Sequence, residues 1–379
     1  MNTSLTDVRT LVVKIGTSLL SGEHGFDGRI VEEIVKDLGA LKHERGLNIL
    51  LVSSGAIGCG MDILGMKQRP RLLPLKQATA AVGQSRLMHY YETLFQVYGK
   101  GLKTAQVLLS PHELDRRETY LNVRNTIRTL FDLGVVIPIV NENDPVATDE
   151  LKFGDNDTLA ARVAAKIDAD LLIILSDIEG LYDKNPVIHP DAKLIEQVEW
   201  VTPEIEALAE DTVSETTTGG MRTKLDAARI ACSSGMRMII ADGRADHVVR
   251  RVLDGHAPCT LFGAASAAMP HRKRWIAFGR AARGAIHVDA GAGKALLEYG
   301  RSLLPAGVAK VSDCFDMGAA VRIVDAQGRD IGCGLTNYSS DEIERIKGCK
   351  TKDIEAILGR KDFDEVIHRD NMVLWINNP

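Results

Sequence analysis

Short, nearly uninterrupted runs of Val, Ile and Leu alternate with longer amphipathic stretches between residue 10 and about residue 255. Strands that are apolar at almost every position are buried on both faces, as in a parallel sheet that is covered by helices. The alternation therefore predicts an α/β fold, in which an open, mainly parallel sheet lies between two layers of helices.

The same pattern locates the individual elements. The predicted strands are Thr10–Ile15, Ile49–Ser53, Thr104–Leu109, Val135–Val140, Asp170–Leu175 and Arg237–Ala241. The predicted helices are Arg29–Arg45, Lys76–Tyr98, His112–Leu133, Thr158–Lys166 and Met221–Ser234.

The residue pattern changes near residue 264. Small residues and Pro270 are followed there by short segments of β character. The clearest of these are Ala285–Val288, Ala319–Val324 and Arg329–Gly334, which Gly and Asp turns separate. We expect a small, mostly β domain there. The expected divisions are a first domain at 8–264, a linker at 265–283, a second domain at 284–362 and a tail at 363–379.

Charge and cysteine usage narrow the class of protein. The 379 residues include 46 Lys and Arg and 51 Asp and Glu, so the net charge is −5. The chain as a whole is therefore not strongly basic, as nucleic-acid-binding proteins commonly are. The six cysteines form no C-x-x-C pair, which excludes the common zinc and thioredoxin motifs.

No apolar run approaches the roughly 18 residues of a membrane span, and no signal peptide is visible. We expect a cytoplasmic protein with free thiols and no membrane partner.

Two lysines lie where phosphate oxygens could bind. Lys14 is near the end of the first strand, before Gly16, and ligands bind at the carboxyl ends of strands in open parallel sheets. Lys224 lies one turn into a helix that follows Gly219 and Gly220, where backbone N–H groups and the helix dipole favour an anion. Taken alone, Lys14 could equally point to solvent.

A glycine-rich turn follows the second strand. Gly55, Gly58 and Gly60 have the order G-x-x-G-x-G, which differs from the G-x-G-x-x-G order of dinucleotide-binding turns. No acidic residue ends the strand to bind a ribose. These small residues either let a ligand approach the backbone or allow close packing.

Polar residues cluster after the fourth and fifth strands. The segment 141–145 reads Asn-Glu-Asn-Asp-Pro, and the segment 155–157 reads Asp-Asn-Asp and opens a helix. Helix capping accounts for one or two of these residues. The others could bind a cationic amino group, orient lysines or reach a hydrated Mg²⁺. Ser176 and Asp177 either contact a nucleotide or form only a polar loop.

In order and spacing, these motifs resemble those of the glutamate 5-kinase family, which has the amino acid kinase fold and a C-terminal PUA domain. The resemblance runs from about Val12 to Gly359. It is carried by the segments VVKIGTSLL, LVSSGAIGCG, KQATAAVGQ, VIPIVNENDPVAT, FGDNDTLAA, LLIILSDIEGLYDKNP, GGMRTKLDAA and SLLPAGV.

The resemblance implies an enzyme that uses ATP, with Mg²⁺, to phosphorylate the γ-carboxylate of L-glutamate as the first step of proline biosynthesis. It implies that Lys14 and Lys224 contact the transferring phosphoryl group and that Asp157 positions them. The implied glutamate-binding residues are Ser54, Asp144 and Asn156. The implied nucleotide-binding residues are Lys14, Ser176, Asp177, Thr218, Gly219, Gly220, Met221, Arg222, Thr223 and Lys224. No protein side chain is assigned to a metal.

The resemblance also implies inhibition by proline, which could occupy the glutamate pocket, and a homodimer or homotetramer. PUA domains elsewhere bind RNA. However, residues Gly284–Pro379 carry 12 basic and 15 acidic side chains, a net charge of −3, which argues against RNA and favours a structural or regulatory role. The remaining alternative is another amino acid kinase, acting on acetylglutamate, aspartate or a nucleotide. The segments NENDPVAT and GDNDTL and the PUA domain disfavour it.

Overall fold

The computed structural model describes most of the chain. The described residues are 5–22, 25–26, 28–110, 113–114, 117–146, 156–210, 220–263 and 282–375. The chain divides into two compact units near residue 268. The expected linker at 265–283 lies outside the described residues except for its last two positions, so the domain limits remain a prediction.

One large sheet forms the centre of the first unit. The strands of this unit are β1 (Thr10–Ile15), β2 (Ser21–Gly22), β3 (Gly25–Phe26), β4 (Asn48–Ser53), β5 (Lys103–Leu109), β6 (Val136–Glu142), β7 (Leu171–Ser176), β8 (Gln197–Val198), β9 (Arg237–Asp242) and β10 (Cys259–Phe262). β2 and β3 form a separate hairpin, and the other described strands pair in the order β5-β6-β4-β1-β7-β9-β10-β8. All pairs from β5 to β9 are parallel, whereas β10 is antiparallel to β9.

Helices cover both faces of this sheet. They are α1 (Arg29–Arg45), α2 (Ala56–Ile63), α3 (Leu73–Val97), α4 (Arg117–Asp132), α5 (Asn156–Lys166), α6 (Pro203–Glu210), α7 (Met221–Ser233) and α8 (Val248–Leu253). α1, α2, α3 and α8 enclose one apolar core, and α4 to α7 enclose the other. Because both faces of the sheet are covered, its central strands are apolar at most positions.

The order of the strands reverses at β1. The chain passes from β1 to β4 on one side, and later places β7 and β9 on the other side. In doubly wound sheets, ligands bind beyond the carboxyl ends of the strands at such a reversal. The site is therefore expected where β1, β4, β6 and β7 end.

The second unit has its own sheet and core. Its described strands are β11 (Ala285–Val288), β12 (Val308–Ser312), β13 (Ala320–Val324), β14 (Asp330–Leu335) and β15 (Met372–Leu374), in the order β12-β11-β13-β14-β15. Its described helices are α9 (Ala290–Tyr299), α10 (Ser340–Ile346) and α11 (Ile354–Leu358). Ile286, Val321 and Ile343 are fully buried in the apolar core between them.

The predicted α/β fold with a mainly parallel sheet is confirmed, and each predicted strand has an observed counterpart. The sequence pattern missed the neighbouring strands β10 and β8 at one side of the sheet, because four and two residues are too few to show a period. It also missed the helices of the second unit. None of the described helices is both long and apolar enough to cross a membrane.

Candidate active site

Lys14 points to the sheet face that α5 and α7 cover. Side chains alternate along a strand, so Lys14 lies on the same face as Val12, and Val13 lies on the other. Val12 packs into the core beneath α5 and α7, and Val13 packs into the core on the α1 side. A lysine within a buried strand is thus directed at the first turns of two helices.

Asp157 joins Lys14 to Lys224. Lys14 Nζ lies 2.5 Å from Asp157 Oδ1, and Lys224 Nζ lies 3.3 Å from Asp157 Oδ2. Thr223 donates a hydrogen bond from its hydroxyl to Asp157 Oδ2 at 3.2 Å. Only 3%, 0% and 5% of the surface of Lys14, Asp157 and Lys224 is exposed. The two lysines, far apart in sequence, therefore meet at one carboxylate.

Two of the three side chains of this triad are positively charged. Lys14 and Lys224 share the carboxylate of Asp157 in a buried place. Preorganised positive groups act more strongly on an anion in a buried site than in water. The triad is therefore suited to binding an anion such as a phosphoryl group.

Three further residues predicted to bind nucleotide lie at the start of α7. Gly220 caps α7 in an extended conformation, and Met221 opens the helix with its side chain buried. Arg222 is exposed. Thr218 and Gly219, both predicted to bind nucleotide, lie outside the described residues.

Asn156 connects the start of α5 to the end of β4. Its amide nitrogen Nδ2 donates hydrogen bonds to Ser54 Oγ at 2.8 Å and to the carbonyl oxygen of Ser53 at 3.2 Å. Ser54 is followed by Gly55, whose φ of 101° turns the chain into α2, a backbone angle that side-chain-bearing residues rarely adopt. Two of the three residues predicted to bind glutamate are thus in direct contact.

Two side chains to which the sequence analysis gave no individual role complete this polar network. Asn141, near the end of β6, accepts from Asn156 Nδ2 at 3.0 Å and donates to Gln84 Oε1 of α3 at 2.8 Å. Asn141 belongs to the polar cluster 141–145, and Gln84 ends the segment KQATAAVGQ. Gln84 was not a site candidate, because a glutamine within a helical pattern is usually a solvated surface residue.

Tyr91 of α3 supports the end of β4 from the opposite face of the sheet. Its hydroxyl lies 2.7 Å from Ser53 Oγ, and Ser53 donates its own proton to the carbonyl of Ser54 at 2.9 Å. Since a serine hydroxyl has one proton, Tyr91 is the donor. Burial raises the pKa of Tyr91, which keeps its hydroxyl protonated.

The remaining predicted residues lie at the same edge of the sheet. Asp144 begins a 3₁₀ turn, Asp144–Val146, directly after β6, and this turn packs against α3. Ser176 ends β7, and its hydroxyl donates to Asp177 Oδ1 at 3.1 Å. Within the described residues, Ser176 makes no direct hydrogen bond to the triad.

Arg244, which the sequence did not indicate, holds the loop after β7. It donates to the carbonyl of Asp177 at 2.6 Å and pairs with Asp242 at 2.7 Å. Burial alone would raise the pKa of Asp242, but the hydrogen bonds from Arg244 outweigh it and hold the pKa below its usual value.

One glycine of the segment after β4 allows close packing between α2 and α3. A Cβ at Gly60 would approach the carbonyl oxygen of Thr79 to 1.9 Å, and a Cβ at Gly83 would approach that of Ala56 to 1.9 Å. α2 and α3 therefore cross in direct backbone contact. The packing interpretation holds for Gly60, whereas a Cβ at Gly58 would meet nothing within 4 Å.

A metal would have few protein ligands here. No group of three or more His, Cys, Asp or Glu side chains that could hold a metal ion occurs in the described part of the chain. The carboxylate of Asp157 is already bound to two lysines. Mg²⁺ is commonly held by substrate phosphates with one or two carboxylates, so these residues offer no cage of their own for it.

Comparison with known proteins places this geometry in a family. The model of the amino acid kinase family matches residues 9–242, and the PUA domain model matches residues 284–358. A glutamate 5-kinase from Caldanaerobacter subterraneus subsp. tengcongensis is 49% identical over 365 residues, covering 96% of this chain and 97% of that protein. A glutamate 5-kinase from Moorella thermoacetica is 48% identical over 376 residues, with coverages of 98% and 97%. A third, from Citrifermentans bemidjiense, is 47% identical, with coverages of 98% and 98%.

Proposed function

The chain belongs to the amino acid kinase family and, within it, to the glutamate 5-kinases, and on that premise we propose how its residues carry out the reaction. It is a phosphotransferase that moves the γ-phosphoryl group of ATP to the γ-carboxylate of L-glutamate. The product, L-glutamyl 5-phosphate, is formed in the first step of proline biosynthesis.

The chemistry needs charge stabilisation more than proton transfer. A carboxylate oxygen of glutamate forms a bond to the γ-phosphorus, and the bond from that phosphorus to the bridging oxygen breaks as ADP leaves. The carboxylate is ionised at neutral pH, so no general base has to remove a proton. Two anionic reactants must nevertheless come together, and preorganised positive groups lower that barrier.

The buried contact of Lys14 and Lys224 with one carboxylate carries the proposal. We assign the two ammonium groups to the oxygens of the transferring phosphoryl group. Asp157 sets their separation, and Thr223 fixes the rotation of its carboxylate through a hydrogen bond of 3.2 Å. Asp157 is thus a positioning residue, while the two lysines are catalytic residues.

The acceptor and the nucleotide are assigned to the strand ends on either side of the triad. Ser54, Asp144 and Asn156 follow β4 and β6 and would bind the amino and carboxylate groups of glutamate. Ser176 and Asp177 follow β7 and would contact the nucleotide. The loop from Thr218 to Lys224 would hold its phosphates, which the N-terminus of α7 attracts through its N–H groups and dipole. Mg²⁺ would enter with those phosphates.

ATP-dependent hydroxamate formation tests the proposed substrate. Hydroxylamine traps an acyl phosphate, so the protein should give hydroxamate with L-glutamate and little without it. Parallel reactions with N-acetylglutamate and aspartate separate the related kinases. Product with either of these acceptors, and none with glutamate, would contradict the assignment.

Four further properties belong to the same proposal. Proline would inhibit by competing for the pocket around Asp144 and Asn156, and unchanged activity in excess proline would remove this idea. The enzyme would be a cytoplasmic homodimer or homotetramer, which sedimentation and cell fractionation measure. The domain limits 8–264 and 284–362 would appear as protease-resistant fragments.

A further inference from the structure

The loop 177–180 leaves the large sheet directly after β7. Before the loop, the carbonyl oxygen of Ser176 accepts a hydrogen bond from the backbone N–H of Gly243, which follows β9, at 2.8 Å. After the loop, the backbone N–H of Leu181 donates to Thr260 Oγ1 of β10 at 2.8 Å. Both ends of the loop are therefore fixed to neighbouring strands, and the question is what holds the main chain between them.

Arg244 holds the main chain within the loop. Its Nη2 donates a hydrogen bond to the carbonyl oxygen of Asp177 at 2.6 Å. Among the described residues, no other hydrogen bond involves the backbone of residues 177–180. The side chain of Ile178 packs against the core on the α5 and α7 side of the sheet. One guanidinium group thus provides the polar anchor of the loop backbone.

Asp242, the last residue of β9, fixes the position of that guanidinium group. Asp242 Oδ1 accepts from the backbone N–H and from Nε of Arg244, both at 2.9 Å, and Oδ2 accepts from Nη2 at 2.7 Å. A planar guanidinium that binds a carboxylate through two parallel hydrogen bonds has a defined orientation. The side chain of Arg244 is therefore ordered, although 56% of its surface is exposed.

We propose that Arg244 is a positioning residue for the nucleotide, which holds the loop 177–180 in the conformation that binds ATP. The inference rests on the proposed role of Ser176 and Asp177 in contacting the nucleotide. Without Arg244 the loop populates other conformations, and the affinity for nucleotide falls with the fraction of molecules in the binding conformation. The proposed glutamate residues follow β4 and β6, which lie on the other side of β1, so glutamate binding should not change.

Binding of ADP in the absence of glutamate tests the inference without relying on turnover. Arg244→Met should raise the dissociation constant of ADP, measured by calorimetry, by at least about fivefold, the effect of losing one half-exposed hydrogen bond from a charged group. In the hydroxamate assay, the KM for ATP should rise by a similar factor and the KM for glutamate should stay within about twofold. A merely structural role would change both KM values alike.

Arg251→Met is the matched control for charge. Arg251 lines the same cavity as Arg244, but it donates to the carbonyl oxygen of His256 at 3.3 Å and not to the loop. Its replacement removes the same positive charge and should leave the dissociation constant of ADP within about twofold, because salt screens exposed charges. Equal weakening by Arg251→Met and Arg244→Met would show that charge alone attracts the nucleotide, and would overturn the inference.

Asp242→Ala tests the same link from the other side and also serves if Arg244→Met does not fold. It removes a negative charge, so electrostatics alone would tighten the binding of ADP. Loss of positioning should instead raise the dissociation constant by at least about threefold. Unchanged or tighter binding in folded Asp242→Ala or Arg244→Met overturns the inference. A wild type that neither binds ADP nor forms glutamate-dependent hydroxamate overturns the proposed function itself.

Discussion

The two units differ in the charged side chains that they bury. In the first unit, Lys14, Asp157 and Lys224 form a buried triad at the centre of the fold. In the second unit, ion pairs such as Arg360 with Glu342 lie at the surface. Asp325 is the only buried charged residue among the described residues of that unit, and it is satisfied within its own turn by Arg329.

This contrast separates charges that serve a ligand from charges that serve the fold. A buried charged group loses its hydration, and replacing buried ion pairs by apolar residues is often neutral or stabilising. A buried triad that brings two ammonium groups together is therefore explained better by an anionic ligand than by stability. The surface pairs of the second unit contribute little individually. Substitutions in the triad should change turnover, and those in the second unit should change stability.

The largest effect is expected at Lys224. Lys224→Ala should lower kcat by at least about 100-fold, because it removes one preorganised charge from the transferring phosphoryl group. Hydroxamate formation measures this, with circular dichroism to establish folding. Lys361→Ala removes an exposed lysine that pairs with Asp364 in the second unit, and should leave kcat unchanged. Near-normal turnover of a folded Lys224→Ala protein would refute the assigned role.

A smaller effect, on stability rather than on turnover, is expected in the core of the second unit. Ile343→Ala removes a fully buried side chain and should lower the free energy of unfolding of that unit by about 2–3 kcal/mol. Turnover at a temperature where the protein is folded should stay within about twofold. Calorimetry and the hydroxamate assay measure the two quantities. Loss of turnover in the folded variant would contradict the expectation that substitutions in the second unit change stability and not turnover.

The smallest effect is expected at the cap of α10. Ser339 and Glu342 form a capping box, and the hydrogen bond from Arg360, followed by that from the Ser339 backbone, lowers the pKa of Glu342. A lowered folded-state pKa stabilises the protein above the carboxyl's ordinary pKa, and the gain is lost as the pH falls through the folded value. Glu342→Gln should cost up to about 1 kcal/mol at pH 7 and progressively less toward pH 3.

Chemical unfolding at several pH values measures this difference. Glu355→Gln removes an exposed carboxylate from the next helix and serves as the matched control. A pH-independent cost at Glu342 would mean that the cap, rather than the charge, provides the stability.

The sequence pattern predicted the elements that carry most of the site. The apolar run of β1 was visible because its last five positions are buried, and α5 was visible because polar residues precede an Ala-rich segment. Lys14 and Lys224 were candidates because each lies at a strand or helix end, where phosphate groups bind. Gln84 and Arg244 were not, because their partners Asn141 and Asp177 are distant in sequence.

Local patterning of apolar residues, turns and caps determined the α/β fold and the ends of its strands, since burial on both faces leaves a periodic trace in the chain. The tertiary structure alone decided that two lysines share Asp157 and that α3 reaches Asn156 through Asn141. Side-chain hydrogen bonds and ion pairs depend on distances that only the crossing of strands and helices sets, and no spacing along the chain records them.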